Sequence, residues 1–129
     1  MEEIEVGEYV RDCDGFIVKV NEIQEYKEDD DFWYQEKTLK GTWKSMVIKH
    51  SKNIIDLIEV GDYVNGKLVS NVDKVDNINF IEWDDGDMYK TEISNDKFIK
   101  SIVTKEQFAS MEYKIGEWEY ARNKIQSLE

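Results

Sequence analysis

The sequence predicts a mainly β fold, and two observations carry this prediction. Ile and Val together number 25, whereas Ala and Leu together number 6, so β-branched residues far outweigh the strongest helix formers. The turn pairs Asp14-Gly15 and Asn65-Gly66 each separate segments in which apolar and polar residues alternate. Because such pairs accept the positive φ of tight hairpin turns, we expect antiparallel hairpins at both places.

A repeated segment is the third observation. Ile4-Glu5-Val6-Gly7-Glu8-Tyr9-Val10 recurs as Ile58-Glu59-Val60-Gly61-Asp62-Tyr63-Val64, with six of the seven positions identical. Each copy precedes one of the two turn pairs, and its Gly suits a turn or bulge just before a strand. The repeat (4–10 and 58–64) predicts that one strand, turn and strand arrangement is used twice.

The strands follow in order from these signals. Residues 6–11 are expected to pair with 16–23, and residues 60–64 with 67–75. Alternation and turn residues predict further strands at 32–37, 43–49, 78–83, 88–93 and 97–103, with Asp84-Asp85-Gly86-Asp87 as a hairpin turn.

Helix is predicted to be a minor component. Ser51 can cap a short turn, and Thr104 with Gln107 has the spacing of a capping box. Residues 117–129 are expected to form an amphipathic C-terminal helix, because large or apolar residues fall on one helical stripe: Trp118, Ala121, Ile125 and Leu128.

These elements predict a small, strongly bent antiparallel SH3-like barrel or a duplicated half-barrel, closed by residues 111–115. A chain of 129 residues without Pro, and with dispersed Gly, suits one core and no flexible linker. We therefore expect a single β-rich domain over residues 1–116 and a helical extension over 117–129.

Charge and composition exclude several classes of function. The chain has 29 acidic and 17 basic residues, a formal charge of −12, which disfavours direct nucleic-acid binding. Its acidic start and the lack of a long apolar run predict neither a signal peptide nor a membrane span, so a cytoplasmic location in a host cell is expected. A single cysteine, Cys13, cannot form an intramolecular disulfide and fits a reducing compartment.

Catalytic and metal-binding patterns are scarce. With one histidine, His50, and one cysteine, a Cys–His pair is the one nucleophilic arrangement available. The acidic turn at 84–87 fails as an EF-hand because Ile81 and Trp83 would occupy ligand positions. No phosphate-binding glycine loop occurs. The prediction is a protein that is not an enzyme and has no metal or cofactor.

Two acidic clusters beside aromatic residues are the candidate partner-binding sites. The first comprises Glu28, Asp29, Asp30, Asp31 and Trp33, and the second comprises Trp83, Asp84, Asp85 and Asp87. Carboxylates beside aromatic rings suit a basic protein surface, since aromatic residues are enriched among interface hot spots. The competing interpretation is that the loops are merely solvated and that the tryptophans fill the core.

Three parts of the chain resemble a known group of proteins: GEYV with DGFI at residues 7–17, the block VIKHSKNIIDLIEVGDYVNG at 47–66, and IVTKEQF at 102–108. They resemble uncharacterised small acidic phage and prophage proteins of clostridial and related low-GC bacteria. The resemblance implies a phage setting and no functional residue. Small acidic phage proteins include inhibitors of host defence, such as anti-CRISPR proteins that present acidic surface to nucleic-acid channels, which is an analogy.

The function predicted from the sequence is that of a phage-type, non-enzymatic acidic binding protein. It would inhibit a host nucleic-acid-handling or defence protein, in an anti-CRISPR-like manner, by occupying a basic surface. Its partner would be that host protein, with no membrane or direct nucleic-acid contact, and a homodimer is compatible with the sequence. The alternatives are a protein that sequesters a small ligand, such as a nucleotide signal, and a phage accessory or assembly protein.

Overall fold

The computed structural model describes residues 3–91 and 97–111, and this part of the chain is mainly β. The strands are β1 (Tyr9–Asp12), β2 (Ile17–Lys19), β3 (Glu22–Tyr26), β4 (Asp31–Gln35), β5 (Gly41–Trp43), β6 (Val47–Ser51), β7 (Tyr63–Val64), β8 (Lys67–Val75), β9 (Ile78–Trp83), β10 (Met88–Thr91) and β11 (Ile102–Val103). Two 3₁₀ helices, Lys44–Met46 and Ile54–Leu57, and one α-helix, α1 (Lys105–Met111), complete it. The mainly β prediction is confirmed.

The strands form three antiparallel sheets, in the orders β2-β1-β6, β10-β9-β8-β7-β11 and β3-β4-β5. Among the described residues the pairing does not close into a ring, so the structure shows bent sheets rather than a closed barrel. No described helix is long and apolar enough to cross a bilayer.

The repeated segment has the same backbone conformation in both copies. Gly7 and Gly61 have φ values of +99° and +97°, which are accessible to glycine at little cost. The Gly7 N–H donates to the Val20 carbonyl over 2.8 Å, and the Gly61 N–H donates to the Val69 carbonyl over 3.0 Å. The same glycine therefore starts the same hairpin twice.

The single exchange within the repeat preserves the contact that its side chain makes. The Glu8 carboxylate accepts the Glu5 N–H at 2.6 Å, and the Asp62 carboxylate accepts the Glu59 N–H at 2.7 Å. Glu and Asp therefore fix the same backbone turn.

The equivalence extends to whole strands and divides the described chain into unit 1, residues 3–53, and unit 2, residues 54–91 and 97–111. β1 lies between β2 and β6 in unit 1, and β7 lies between β8 and β11 in unit 2. Each unit has its own apolar cluster of buried residues: Ile4, Val10, Val18, Val20, Tyr34 and Val47 in unit 1, and Ile55, Ile58, Val64, Val69, Ile81 and Trp83 in unit 2.

The two glycine turns differ. Asn65 and Gly66 both have positive φ, 53° and 80°, and form the predicted two-residue turn. At the first turn Gly15 alone takes positive φ, and the Asp12 N–H bonds to the Phe16 carbonyl across three intervening residues. The Asp12 carboxylate accepts the N–H groups of Asp14 and Phe16, which explains the wider loop.

Several predicted strands are shorter or divided; of residues 60–64, for example, only Tyr63–Val64 form a strand. Residues 16–23 form β2 and β3 rather than one strand, because the N–H groups of Val20 and Asn21 bond to carbonyls of Glu8 and Gln35, which belong to different parts of the unit. The 3₁₀ helix Lys44–Met46 interrupts residues 43–49, and in residues 97–103 only β11 is extended and paired.

The capping box before α1 is present. The Thr104 N–H donates to Gln107 Oε1 at 3.2 Å, and the Gln107 N–H donates to Thr104 Oγ1 at 3.3 Å. Met111 ends α1, whereas the rest of the expected closure at 111–115 and the expected helix at 117–129 lie outside the described residues.

Candidate binding face

The side of the β3-β4-β5 sheet that faces away from the unit 1 core carries the first predicted cluster. Side chains alternate along a strand, and Ile23, Phe32 and Tyr34 pack on the core. Trp33 therefore points to the opposite side, which we call the outer face.

Strand register brings three aromatic residues together on the outer face. Trp33 is the direct cross-strand partner of Trp43, and their ring centroids are 5.0 Å apart at 66°. Tyr26 packs on Trp43 in the same edge-to-face manner, with centroids 5.1 Å apart. Tyr26 is 41% exposed and the two tryptophans are half-buried. We call these three residues the aromatic cluster, with Trp43 in the middle.

Gly41 makes room for this arrangement. A Cβ at this position would lie 2.2 Å from Trp33 Cζ2, so only glycine lets the indole lie against the β5 backbone. The Trp33 Nε1–H donates to Gln35 Oε1 at 2.7 Å, which fixes the ring on its own strand. The Trp33 indole is thus held in place by its own sheet.

The β3–β4 hairpin turn beside Tyr26 is acidic. We call residues 27–30 the acidic turn; it contains Glu28, Asp29 and Asp30, with Lys27 as its only cation. All four residues are exposed, and Asp30 has φ of 51°. Within the described part of the chain, none of the three carboxylates forms an ion pair. The turn thus presents uncompensated negative charge at the end of the aromatic cluster.

Asp31, the last acidic residue of the predicted cluster, has a structural partner. Its carboxylate accepts the Ser45 N–H at 3.1 Å and the Ser45 hydroxyl at 2.7 Å. Burial alone would raise the pKa of Asp31, but these hydrogen bonds outweigh burial and lower it. Asp31 therefore anchors the 3₁₀ helix Lys44–Met46 to β4.

The second predicted cluster is arranged differently. Trp83 is 4% exposed, belongs to the unit 2 core and donates its Nε1–H to the Val64 carbonyl, so it offers no exposed ring. Asp85 and Asp87 both pair with Lys67 in the described structure, and Asp84 is exposed in the turn. The structure therefore does not combine these carboxylates with an accessible aromatic.

Unit 2 provides an internal comparison for the outer face. Strands β8, β9 and β10 of unit 2 correspond to β3, β4 and β5 of unit 1. Phe80 on β9 pairs with Lys90 on β10, as Trp33 pairs with Trp43, so Phe80 takes the position of Trp33 and Lys90 that of Trp43. Val75 takes the place of Tyr26, and the turn after it, residues 76–77, has two residues instead of four. On a shared framework, unit 1 alone combines an aromatic cluster with an acidic turn.

The two residues considered for catalysis, His50 and Cys13, are not paired with each other in the described structure. His50 Nδ1 lies 2.8 Å from Glu8 Oε1, and no hydrogen bond joins His50 to Cys13 among the described residues. Burial would raise the pKa of Glu8, but the contact with His50 and the Glu5 N–H lower it. Cys13 is exposed and free. No cluster of three or more metal-binding side chains occurs in residues 3–91 and 97–111.

A cleft of about 190 Å³ lies between the two units, lined by residues that include Tyr9, Lys40, Ile54 and Lys100. Small-molecule pockets usually begin at about 300 Å³. The cleft is smaller than this, whereas a depression of about 380 Å³ on unit 2, lined by residues that include Ile55, Val72 and Lys74, reaches that size. The nucleotide-sequestering function remains an alternative proposal.

Comparisons of the chain with protein-family models, curated proteins and solved structures found no match. The interpretation of the outer face thus depends on its own chemistry and on the comparison between units.

Proposed function

We propose that this is a phage-type, non-enzymatic binding protein that occupies a basic surface of a host nucleic-acid-handling or defence protein. The observation that carries the proposal is the outer face of unit 1, where the aromatic cluster adjoins the acidic turn. Aromatic side chains supply apolar contact area, and unpaired carboxylates supply charge complementary to lysine and arginine. Unit 2 lacks this combination at its equivalent positions.

The charge of the whole chain supports the same proposal. With a formal charge of −12, the protein repels phosphate and attracts surfaces that bind phosphate. Electrostatic complementarity of this kind raises the association rate most at low ionic strength. A nucleic-acid-handling protein carries such a surface because it must neutralise phosphates.

We also propose that the chain is a duplicated half-barrel of the SH3-like kind, in which each unit is one open half. In unit 1 the first strand pairs with both the second and the last strand, and the chain bends at Val20 and Asn21 from one sheet into the next. The pairing of β7 with β8 and β11 supports the same arrangement in unit 2. This fold would present the β3-β4-β5 face as a rigid platform.

Neutralising the acidic turn tests the function. Asp29→Asn combined with Asp30→Asn removes two charges, and Asn tolerates the positive φ of Asp30. The matched control, Asp73→Asn with Asp76→Asn, removes two charges from the equivalent hairpin of unit 2, where Asp76 has φ of 56°. The readout is capture of nucleic-acid-binding proteins from a nuclease-treated clostridial lysate, with duplex DNA as competitor.

The expected result is that duplex DNA and added salt release the captured proteins, and that the unit 1 variant loses them while the unit 2 control keeps them. Equal capture by both variants, or capture that duplex DNA leaves unchanged, would contradict the proposal.

A further inference from the structure

We infer that the aromatic cluster binds an arginine side chain of the partner's basic surface, in preference to lysine. The inference depends on the proposed function, since it specifies which cation the outer face of unit 1 recognises.

The first step is the pattern of cations over aromatic rings in the molecule itself. Three lysines lie over rings elsewhere: Lys44 over Phe32 at 4.9 Å, Lys67 over Trp83 at 5.4 Å and Lys19 over Tyr9 at 5.7 Å. In the part of the chain that the structure describes, no lysine or arginine lies over the aromatic cluster. Within the described residues the cluster therefore has no cation of its own, and the 41% exposed Tyr26 leaves ring area for a cation from another molecule.

The second step is the type of ring. Tryptophan has the strongest attraction for a cation over its face, and the cluster contains two tryptophans. Their fixed positions favour this contact, because Gly41 and Gln35 already hold the Trp33 indole and little side-chain entropy remains to be lost.

The third step is the choice between the two basic side chains. A guanidinium is planar and weakly hydrated and stacks on aromatic rings, whereas an ammonium is compact and strongly hydrated. The net charge of the acidic turn attracts both cations, but lysine would gain less from the indoles. Selectivity should therefore come from the rings, and overall charge attraction from the acidic turn.

Unit 2 shows what the same sheet position looks like without the aromatic cluster. Lys90 occupies the place of Trp43, so the equivalent face of unit 2 already carries a cation beside Phe80. On its other side Phe80 faces Asp73, so its cross-strand neighbours are one cation and one carboxylate and no second aromatic ring. Phe80 thus provides a matched control position for Trp33.

The test uses the full chain and two peptides of equal charge, nona-arginine and nona-lysine, titrated by calorimetry at low ionic strength. We expect the unmodified protein to bind nona-arginine about tenfold more tightly than nona-lysine, which corresponds to about 1.4 kcal/mol. Trp33→Leu should reduce this ratio to about two or less, mainly by weakening nona-arginine. Phe80→Leu should leave the ratio unchanged.

A second variant guards against a folding defect. Trp33→Phe keeps a ring over Gly41 and should retain part of the preference, and far-UV circular dichroism compares both variants with the unmodified chain. Asp29→Asn with Asp30→Asn should weaken both peptides and leave their ratio intact.

The possible failures are distinguishable. Equal binding of the two peptides, or the same loss of preference with Phe80→Leu, would overturn the arginine inference and leave the acidic-surface proposal standing. No binding of either peptide, or no effect of neutralising the acidic turn, would overturn both.

Discussion

Arg11 is a fully buried charge at the centre of the molecule, where the two units meet. Its guanidinium forms a two-point ion pair with Asp62, donates to the Leu57 carbonyl at 2.9 Å and pairs with Glu106 at 2.7 Å. Burial alone would lower the pKa of Arg11, but these partners outweigh burial and raise it. A buried charge is tolerable only when it is paired in this way.

Replacement of Arg11 is therefore expected to be among the most destabilising changes in the chain. Arg11→Met should lower the free energy of unfolding by about 3–5 kcal/mol, because it leaves the buried Asp62 carboxylate without its cation. Denaturant titration measures this loss.

Two further variants show whether pairing geometry is the cause. Arg11→Lys keeps the charge but not the two-point contact, and should have an intermediate effect. Lys67→Met breaks the exposed pairs with Asp85 and Asp87 and should have a much smaller effect, because exposed ion pairs contribute little. A loss with Arg11→Met no larger than that with Lys67→Met would contradict this account.

Among the elements, β6 and α1 are linked by Glu59, which lies in the segment before β7. Its carboxylate lies 3.0 Å from Lys49 Nζ on β6 and 2.8 Å from Lys105 Nζ on α1. Burial would raise the pKa of Glu59, but these lysines and Arg11 lower it from an ordinary value of 4.5 to about 2. One carboxylate thus links a strand of unit 1 to the helix of unit 2.

The lowered pKa of Glu59 makes its contribution to stability depend on pH. A carboxyl group with a lower pKa in the folded state stabilises fully above its unfolded pKa, and this stabilisation is lost as the pH falls towards the folded pKa. Glu59→Gln should therefore reduce stability at pH 7 by up to about 3 kcal/mol, an upper limit because the side chain is 26% exposed.

The difference between Glu59→Gln and the unmodified chain should shrink between pH 4.5 and pH 2. Thermal melts across this range measure it. Glu22→Gln, on the outer face, is the matched control, because Glu22 forms no ion pair within the described residues. A difference that stays constant with pH would argue against the ion pairs as its source.

Local turn chemistry was enough to predict several elements. Asn65-Gly66 and the Asp84-Asp85-Gly86-Asp87 turn fix hairpins whose strands, Lys67–Val75 and Ile78–Trp83, have the predicted bounds. The interruption after Trp43 could not be predicted in this way, because residues 44–46 contain no Gly, Pro or Asn that marks a 3₁₀ helix. Its position depends on a tertiary contact, the one between Asp31 and Ser45.

The candidate site shows the same limit more sharply. Trp33 and Trp83 look alike in sequence, since each adjoins aspartates, but Trp83 shares a strand face with Ile81 and lies in the core. Because β9 has apolar residues on both faces, the sequence does not show which face of the strand is buried. Tyr26 and Trp43 were missed because only the pairing of three strands brings them beside Trp33.

At the scale of the whole molecule, two apolar clusters are joined by a polar junction. Besides the Arg11 contacts, the buried Thr104 hydroxyl donates to the Gly15 carbonyl of the other unit at 2.7 Å. Hydrogen bonds of this kind depend on both partners being in place, so unfolding of one unit would leave buried charges of the other without partners. The junction therefore couples the stabilities of two units that have separate cores.

This coupling predicts that the units unfold in one transition, as expected of a single domain. The tryptophans of the described residues report on each unit separately: Trp33 and Trp43 lie in unit 1 and Trp83 in unit 2. In a Trp118→Phe background, Trp83→Phe leaves the unit 1 reporters, and Trp33→Phe with Trp43→Phe leaves the unit 2 reporter.

Because either change can shift stability, the fluorescence midpoint of each variant in urea is compared with its own far-UV circular dichroism midpoint. Coincident midpoints in both variants are expected, since two-state unfolding gives the same transition by every probe. Separated midpoints in either variant would show that the units unfold independently and that the polar junction does not couple them.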